Sequence, residues 1–165
     1  MKENQKITTY PNSKNTKTET YQDGDAFITR HFYNGKNAYV KEFITVKDGI
    51  KTVKHNTEKG VMSKLEHFVD ELRQGIETRY FVSKADGSAK STKTYDQGKL
   101  HGENITYNEM GKIIKHEVFA TGKLVLKYFG EDNDNGEITN VEIIDEDNVK
   151  NLPVDEYEKL QTLRS

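Results

Sequence analysis

The chain has 165 residues, the length of one ordinary domain. Its 25 basic and 27 acidic residues leave a net charge of −2, which argues against a nucleic-acid partner held by bulk positive charge. The absence of cysteine excludes disulfides and thiolate chemistry, and no stretch approaches the ~20 apolar residues of a membrane span.

Residues 1–25 are rich in Lys, Asn, Thr and Ser and contain little that could be buried. This composition is typical of solvated segments, so we predict a flexible polar N-terminal tail. Because the segment lacks the apolar run of a signal peptide, we expect a cytoplasmic protein. The alternative is an exported protein whose signal peptide precedes this sequence.

Glycine recurs regularly from residue 24 onwards. The glycines of this series are Gly24, Gly35, Gly49, Gly60, Gly75, Gly87, Gly98, Gly111, Gly122, Gly130 and Gly136. Most lie beside turn-forming residues such as Asn and Asp, and taken two at a time their spacings up to Gly122 are 23 to 27 residues. The segments between them are rich in strand-forming residues. Residues 26–145 therefore predict an all-β fold, a repetitive antiparallel β-hairpin meander with a period of about 24 residues and a turn at each glycine.

Side chains alternate along these segments, as they do in strands. In residues 75–82, one face would carry Ile76, Thr78, Tyr80 and Val82. The opposite face would carry Glu77 and Arg79.

One repeat carries a recognisable motif. Residues 95–112 read Tyr-Asp-Gln-Gly-Lys-Leu-His-Gly-Glu-Asn-Ile-Thr-Tyr-Asn-Glu-Met-Gly-Lys, which resembles the MORN-like hairpin repeat, in particular the bacterial YwqK-type variant of toxin–antitoxin systems. A looser copy at residues 72–87 shares a glycine followed after four residues by a tyrosine. The resemblance implies an elongated, twisted sheet that works by binding, with a toxin as its partner.

Catalytic motifs are missing from the sequence. Its five histidines form no metal-binding pair, and there is no nucleophile elbow and no phosphate-binding glycine loop. We therefore expect no enzyme activity, no catalytic residue and no cofactor.

Residues 131–142 have two interpretations. Oxygen-bearing side chains at Glu131, Asn133, Asn135 and Glu142 follow part of the spacing of a calcium-binding loop. The segment is also typical of a polar hairpin loop with an Asn-Gly turn, because both flanks have the pattern of strands. We favour the loop and keep calcium binding as the alternative.

Four tyrosines occupy related places in the repeat, namely Tyr80, Tyr95, Tyr107 and Tyr128. They would form a ladder across neighbouring strands or, alternatively, a face that binds a partner.

The C-terminal part of the chain is acidic. Residues 131–165 carry a net charge of −8, against +6 for residues 1–130. We predict an acidic linker and a C-terminal capping helix over residues 146–165, because Pro153 begins an amphipathic pattern. The cluster of Asp145, Glu146 and Asp147 would face a basic protein partner.

Two functions remain open from the sequence. The first is a non-enzymatic protein-binding module of antitoxin or immunity type that neutralises a toxin by occluding it, and the acidic cluster would suit a basic toxin. The second is a structural or scaffold repeat protein that mediates assembly or surface interaction. The sequence leaves the oligomeric state and the identity of the partner open.

Overall fold

In a computed structural model, the structure describes residues 2–35, 38–84, 86–129, 139–145, 148–156 and 158. They form fourteen strands, β1 (Lys2–Thr9), β2 (Thr16–Asp23), β3 (Ala26–Phe32), β4 (Val40–Lys47), β5 (Ile50–Asn56), β6 (Met62–Val69), β7 (Leu72–Arg73), β8 (Gly75–Tyr80), β9 (Ala89–Asp96), β10 (Lys99–Tyr107), β11 (Ile113–Ala120), β12 (Lys123–Phe129), β13 (Asn140–Asp145) and β14 (Asn148–Pro153).

All fourteen strands belong to one antiparallel sheet. Each strand pairs with its neighbours in the chain, except that the two-residue β7 pairs only with β6, and β8 continues the sheet beside β6. The predicted all-β hairpin meander is therefore confirmed. The meander forms because the connections are short, so that each strand can pair only with the strands next to it in the chain.

The chain reverses differently at the two ends of the strands. At one end, two-residue turns place both central residues at positive φ, as in Asp48-Gly49, Asp70-Glu71, Gln97-Gly98 and Thr121-Gly122. At the other end the loops are longer and contain Gly60, Gly87 and Gly111. One short and one long connection together with their two strands therefore make up one hairpin repeat of about 24 residues.

Two glycines lie outside turns. Gly75 was predicted to mark a turn, but it is the first residue of β8, and the turn lies at Asp70-Glu71. Gly102 is inside β10, where the pairing with β9 shifts between Leu100 and Asn104. Both glycines have a positive φ that suits a bulge, so the turn prediction was wrong at Gly75.

The Asp70-Glu71 turn has no glycine, although φ is 50° at Asp70 and 62° at Glu71. Replacing Glu71 by glycine should therefore raise the free energy of unfolding by roughly 0.5–1 kcal/mol, because glycine adopts a positive φ without steric cost. Denaturant unfolding measures the change. Glu71→Gln is the matched control, since it removes the exposed ion pair with Lys51 and keeps the backbone strain. A gain in the control and none in the glycine variant would contradict the prediction.

The predicted flexible N-terminal tail was wrong. Residues 2–23 form β1 and β2, which pair with each other, and β2 also pairs with β3. All eight residues of β1 are exposed. An edge strand of this kind is held by its backbone ladder and a few polar contacts, so its side chains show no apolar pattern.

The C-terminal segment is also partly different from the prediction. In place of a linker, β14 extends the sheet and pairs with β13 at six positions. A short helix follows at residues 154–156 and 158, and its start is tied to the sheet by a hydrogen bond from Val154 N to Thr139 O of 2.9 Å. Leu160 and Leu163 of the predicted capping helix lie outside the described residues.

The interior of the sheet is unusual in composition. Among the described residues, the buried apolar side chains are Tyr21, Val53 and Val141, and the buried polar side chains are Glu19, Glu66, Glu77 and Asn104. The predicted alternation is present in residues 75–80, but its buried member is Glu77, whereas Ile76 is 52% exposed. Val82 lies in the turn after the strand. Among the described residues no second layer covers an apolar face of the sheet, so ion-paired side chains lie over its backbone instead.

Candidate functional surfaces

The sheet has two faces, because residues directly opposite each other on neighbouring strands point the same way. The first, here called the glutamate face, carries a row in register from Glu77 on β8 through Lys93, Asn104, Glu117 and Lys127 to Glu142 on β13. Glu66 of β6 lies on the same face, since Arg73 reaches both Glu66 and Glu77.

Glu66 is the centre of a charged cluster on this face. Its carboxylate lies 2.7 Å from Lys64 Nζ, 2.9 Å from His55 Nε2 and 3.1 Å from an Arg73 guanidinium nitrogen. His55 also approaches Glu42, with its Nδ1 at 3.4 Å from the carboxylate. Three basic groups around one carboxylate stabilise the anion in a site that is only 4% exposed.

Glu77 is the second buried carboxylate of the cluster, 3% exposed. Arg79 Nε donates to Glu77 at 2.9 Å, and Arg73 Nε lies 4.0 Å away. Because Arg73 lies between Glu77 and Glu66, its one charge offsets the repulsion of two carboxylates. Its guanidinium also covers the ring of Tyr95, 5.2 Å from the centroid, and burial raises the pKa of that phenol.

Two buried carboxyl groups of the sheet, those of Glu66 and Glu19, have a pKa below the ordinary value. Burial raises the pKa of Glu66, but hydrogen bonds from Lys64 and His55 and the charges of Lys64 and Arg73 lower it by more. At Glu19 on β2, the hydrogen bond from Lys2 lowers the pKa most, with help from Gln5 and Arg30 against burial.

A lowered carboxyl pKa contributes stability above the pKa of the unfolded state, and this stability is lost as pH falls through the folded pKa. The free energy of unfolding should therefore decrease as pH drops below about 4.3, the ordinary pKa of glutamate. Denaturant unfolding at a series of acidic pH values measures the slope. Glu66→Gln should flatten it, and Glu58→Gln, at an exposed loop position, should leave it unchanged. Equal slopes in all three proteins would contradict the assignment.

The opposite face exposes apolar side chains in register. Ile50 of β5 lies directly opposite Val69 of β6, which lies directly opposite Leu72 of β7. They are 47%, 38% and 50% exposed, and Ile76 of β8 on the same face is 52% exposed. We call these four residues the apolar row. The sequence pattern placed Ile76 on an apolar face but did not predict the apolar row. The local sequence pattern does not specify which residues of neighbouring strands lie opposite each other.

The four tyrosines do not form the expected ladder. Tyr80 is opposite Ala89, Tyr107 is opposite Ile113, and Tyr95 is opposite Gly75 and Leu100. Tyr128 stacks on His116 instead, with ring centroids 5.3 Å apart. All four are half-buried, and their role in partner binding stays a prediction.

The predicted acidic and calcium sites fall largely outside the described residues. Asp145 ends β13, whereas Glu146 and Asp147 are not described, and neither are Glu131, Asn133 and Asn135. Glu142 is described, and its carboxylate accepts a hydrogen bond from Lys127 Nζ at 3.1 Å. Lys127 therefore already neutralises one of the four candidate calcium ligands.

The described residues offer neither a group of metal ligands nor a helix that could span a membrane. In that part of the chain, no three His, Asp or Glu side chains are grouped so that they could hold a metal ion. No described helix has the length and apolar character needed to cross a membrane.

Comparison with known proteins assigns no family to the chain. No family model matches the chain, and no curated protein matches it. Among solved structures, it is similar to the crystal structure of TarM, with 16% identity and a TM-score of 0.45 over 66% of this chain and 20% of that chain. A mutant of S. aureus TarM in complex with fondaparinux, alpha-GlcNAc-glycerol and UDP is similar at 15% identity and a TM-score of 0.41, over 74% of this chain and 21% of that chain. The chain thus spans about a fifth of the length of these proteins.

Proposed function

We propose that this protein is a non-enzymatic protein-binding module that docks a partner on the apolar row. The observation that carries the proposal is the exposure of Ile50, Val69, Leu72 and Ile76 on consecutive strands of one face. Contiguous exposed apolar side chains with polar surroundings are typical of interaction surfaces. A sheet held by backbone ladders presents such a row on a rigid support, which limits the entropy lost on binding.

The finer proposal is an antitoxin or immunity-type protein that occludes a toxin. Its support is the resemblance of residues 71–124 to YwqK-type hairpin repeats, together with the hairpin architecture over those residues. A broad face of a many-stranded sheet is suited to covering a partner's surface. The alternative is a scaffold protein, whose partner would be another structural component.

Val69→Lys should abolish binding, because it places a charge in the centre of the apolar row. Val46→Lys is the matched control, since Val46 is 37% exposed against 38% for Val69 and lies on the glutamate face. The assay is coexpression with a neighbouring gene product that arrests growth when expressed alone. Wild type and Val46→Lys should restore growth, and Val69→Lys should fail.

Two outcomes would contradict different parts of this proposal. If no neighbouring product is toxic, or the wild-type protein does not protect against it, the antitoxin role is wrong. If Val69→Lys protects as well as wild type, the apolar row is not the docking surface.

A further inference from the structure

A groove of about 280 Å³ opens on the glutamate face where β9, β10 and β11 lie side by side. Eight polar residues contribute to its lining, and six of them stand in two rows across the three strands. The register places Ser91, Thr106 and Lys115 in one row and Lys93, Asn104 and Glu117 in the other. Leu100 and Phe119 add apolar surface to the lining.

Lys93 is the unusual member of this groove. It is half-buried and lies directly opposite Glu77, but the Glu77 carboxylate is bonded to Arg79 at 2.9 Å and faces Arg73. Among the described residues, Lys93 makes no ion pair. A partly desolvated ammonium without a counterion is unfavourable, so the site gains free energy when an anion binds there.

Asn104 is a fixed donor in the same groove. It is 5% exposed, and its Oδ1 accepts the backbone N–H of Thr94 at 3.0 Å, next to the bulge in β10. Because this bond occupies the oxygen, the Nδ2 group remains as the donating part of the amide. The hydroxyl groups of Ser91 and Thr106 rotate to donate or accept.

The one carboxylate that lines the groove is already neutralised. Glu117 lies 3.2 Å from Lys115 Nζ. The remaining polar lining therefore offers the Lys93 ammonium, an amide N–H and the hydroxyls of Ser91, Thr92 and Thr106, and Lys90 adds a further cation. Donors of this kind converging beside an uncompensated positive charge match an oxyanion, which accepts several hydrogen bonds at once.

We propose that this groove binds a compact anionic group, either a phosphate or a carboxylate. The site lies on the face opposite the apolar row, and its occupant is independent of the docking proposed there. Lys93 supplies the charge, and Asn104, Ser91 and Thr106 supply the neutral donors.

The test is titration of the full ¹⁵N-labelled chain, followed by amide chemical shifts at constant ionic strength. Three probes separate the sources of the anion: inorganic phosphate, acetate, and a capped peptide that contains aspartate side chains. The expected result is a saturable shift of the amides of Ser91, Lys93 and Asn104 with at least one probe. Saturation by phosphate alone assigns a phosphate ligand, and saturation by acetate or by the peptide assigns a carboxylate.

Lys93→Met should weaken that binding about tenfold or more, since a charge-assisted hydrogen bond contributes at least one power of ten. Lys54→Met is the matched control, because Lys54 lies on the other face of the sheet, where it pairs with Phe43 and Leu65 in the register. This substitution should leave the affinity unchanged. Ser91→Glu is a second variant that fills the groove with its own carboxylate and should also prevent binding. Linear, unsaturable shifts with all three probes, or equal losses in the Lys93 and Lys54 variants, would overturn the proposal.

Discussion

Replacing Arg73 by methionine is expected to lower the free energy of unfolding by about 2 kcal/mol, because it removes a cation that two buried carboxylates share. Glu66 keeps Lys64 as a basic partner, and Glu77 keeps Arg79. The Arg73 guanidinium lies 3.1 Å from Glu66 and within 4.0 Å of Glu77. Methionine keeps most of the aliphatic stem, so the loss reports on charge more than on packing. Urea unfolding followed by circular dichroism measures the change.

A second substitution shows whether the lost stability comes from unbalanced charge or from lost packing. In the Arg73→Met background, Glu77→Gln removes one of the two carboxylate charges that Arg73 no longer offsets and should restore part of the lost stability. Arg73→Lys keeps the charge but loses the planar fork, so its effect should be intermediate. A loss below about 1 kcal/mol for Arg73→Met would mean that the cluster behaves as an ordinary surface ion pair.

Val141→Asp is expected to destabilise the C-terminal hairpin by about 4 kcal/mol or more, which is the range of unpaired buried charges. Val141 is 0% exposed and lies between Tyr128 of β12 and Leu152 of β14 in the register of the sheet. An aspartate there has no basic partner opposite it. Amide hydrogen exchange should show the loss of protection in β12 and β13.

The matched control is Val149→Asp, on the same hairpin but 60% exposed, which should change stability little. Ending the chain at Asp145 removes β14 and should reproduce the loss of protection seen with Val141→Asp. Because each strand contacts only its neighbours, β3 to β6 should stay protected in both proteins. Unchanged exchange in β12 and β13 after the truncation would contradict the structural role of β14.

The parts of the fold that local chemistry specifies could be predicted. The turns at Asp48-Gly49 and Gln97-Gly98 followed from the preference of glycine for positive φ, and the strands followed from the residues between them. The turn at Asp70-Glu71 was not recognised, since Glu71 stands where a type I′ turn usually has glycine. The turn was instead predicted at Gly75, four residues after Glu71.

The edge strands show why composition misled at both ends of the chain. Residues 2–9 are polar apart from Ile7, and residues 148–153 contain Pro and two Asn, which are rare in strands, yet both segments are strands. A strand that is added to an existing sheet gains backbone hydrogen bonds from its neighbour whatever its side chains are. The formation of an edge strand therefore depends on the neighbouring strand, and the composition of the segment alone does not predict it.

The sequence by itself determined the class of fold, the position of most turns and the repeat of about 24 residues, because each depends on a few adjacent residues. Only the tertiary structure decided the surfaces. The buried Glu66–Arg73–Glu77 cluster, the apolar row and the groove around Lys93 each join residues from different strands. Their assembly depends on the register of the strands and on the bulges at Gly75 and Gly102, and a shift of one residue would exchange the two faces.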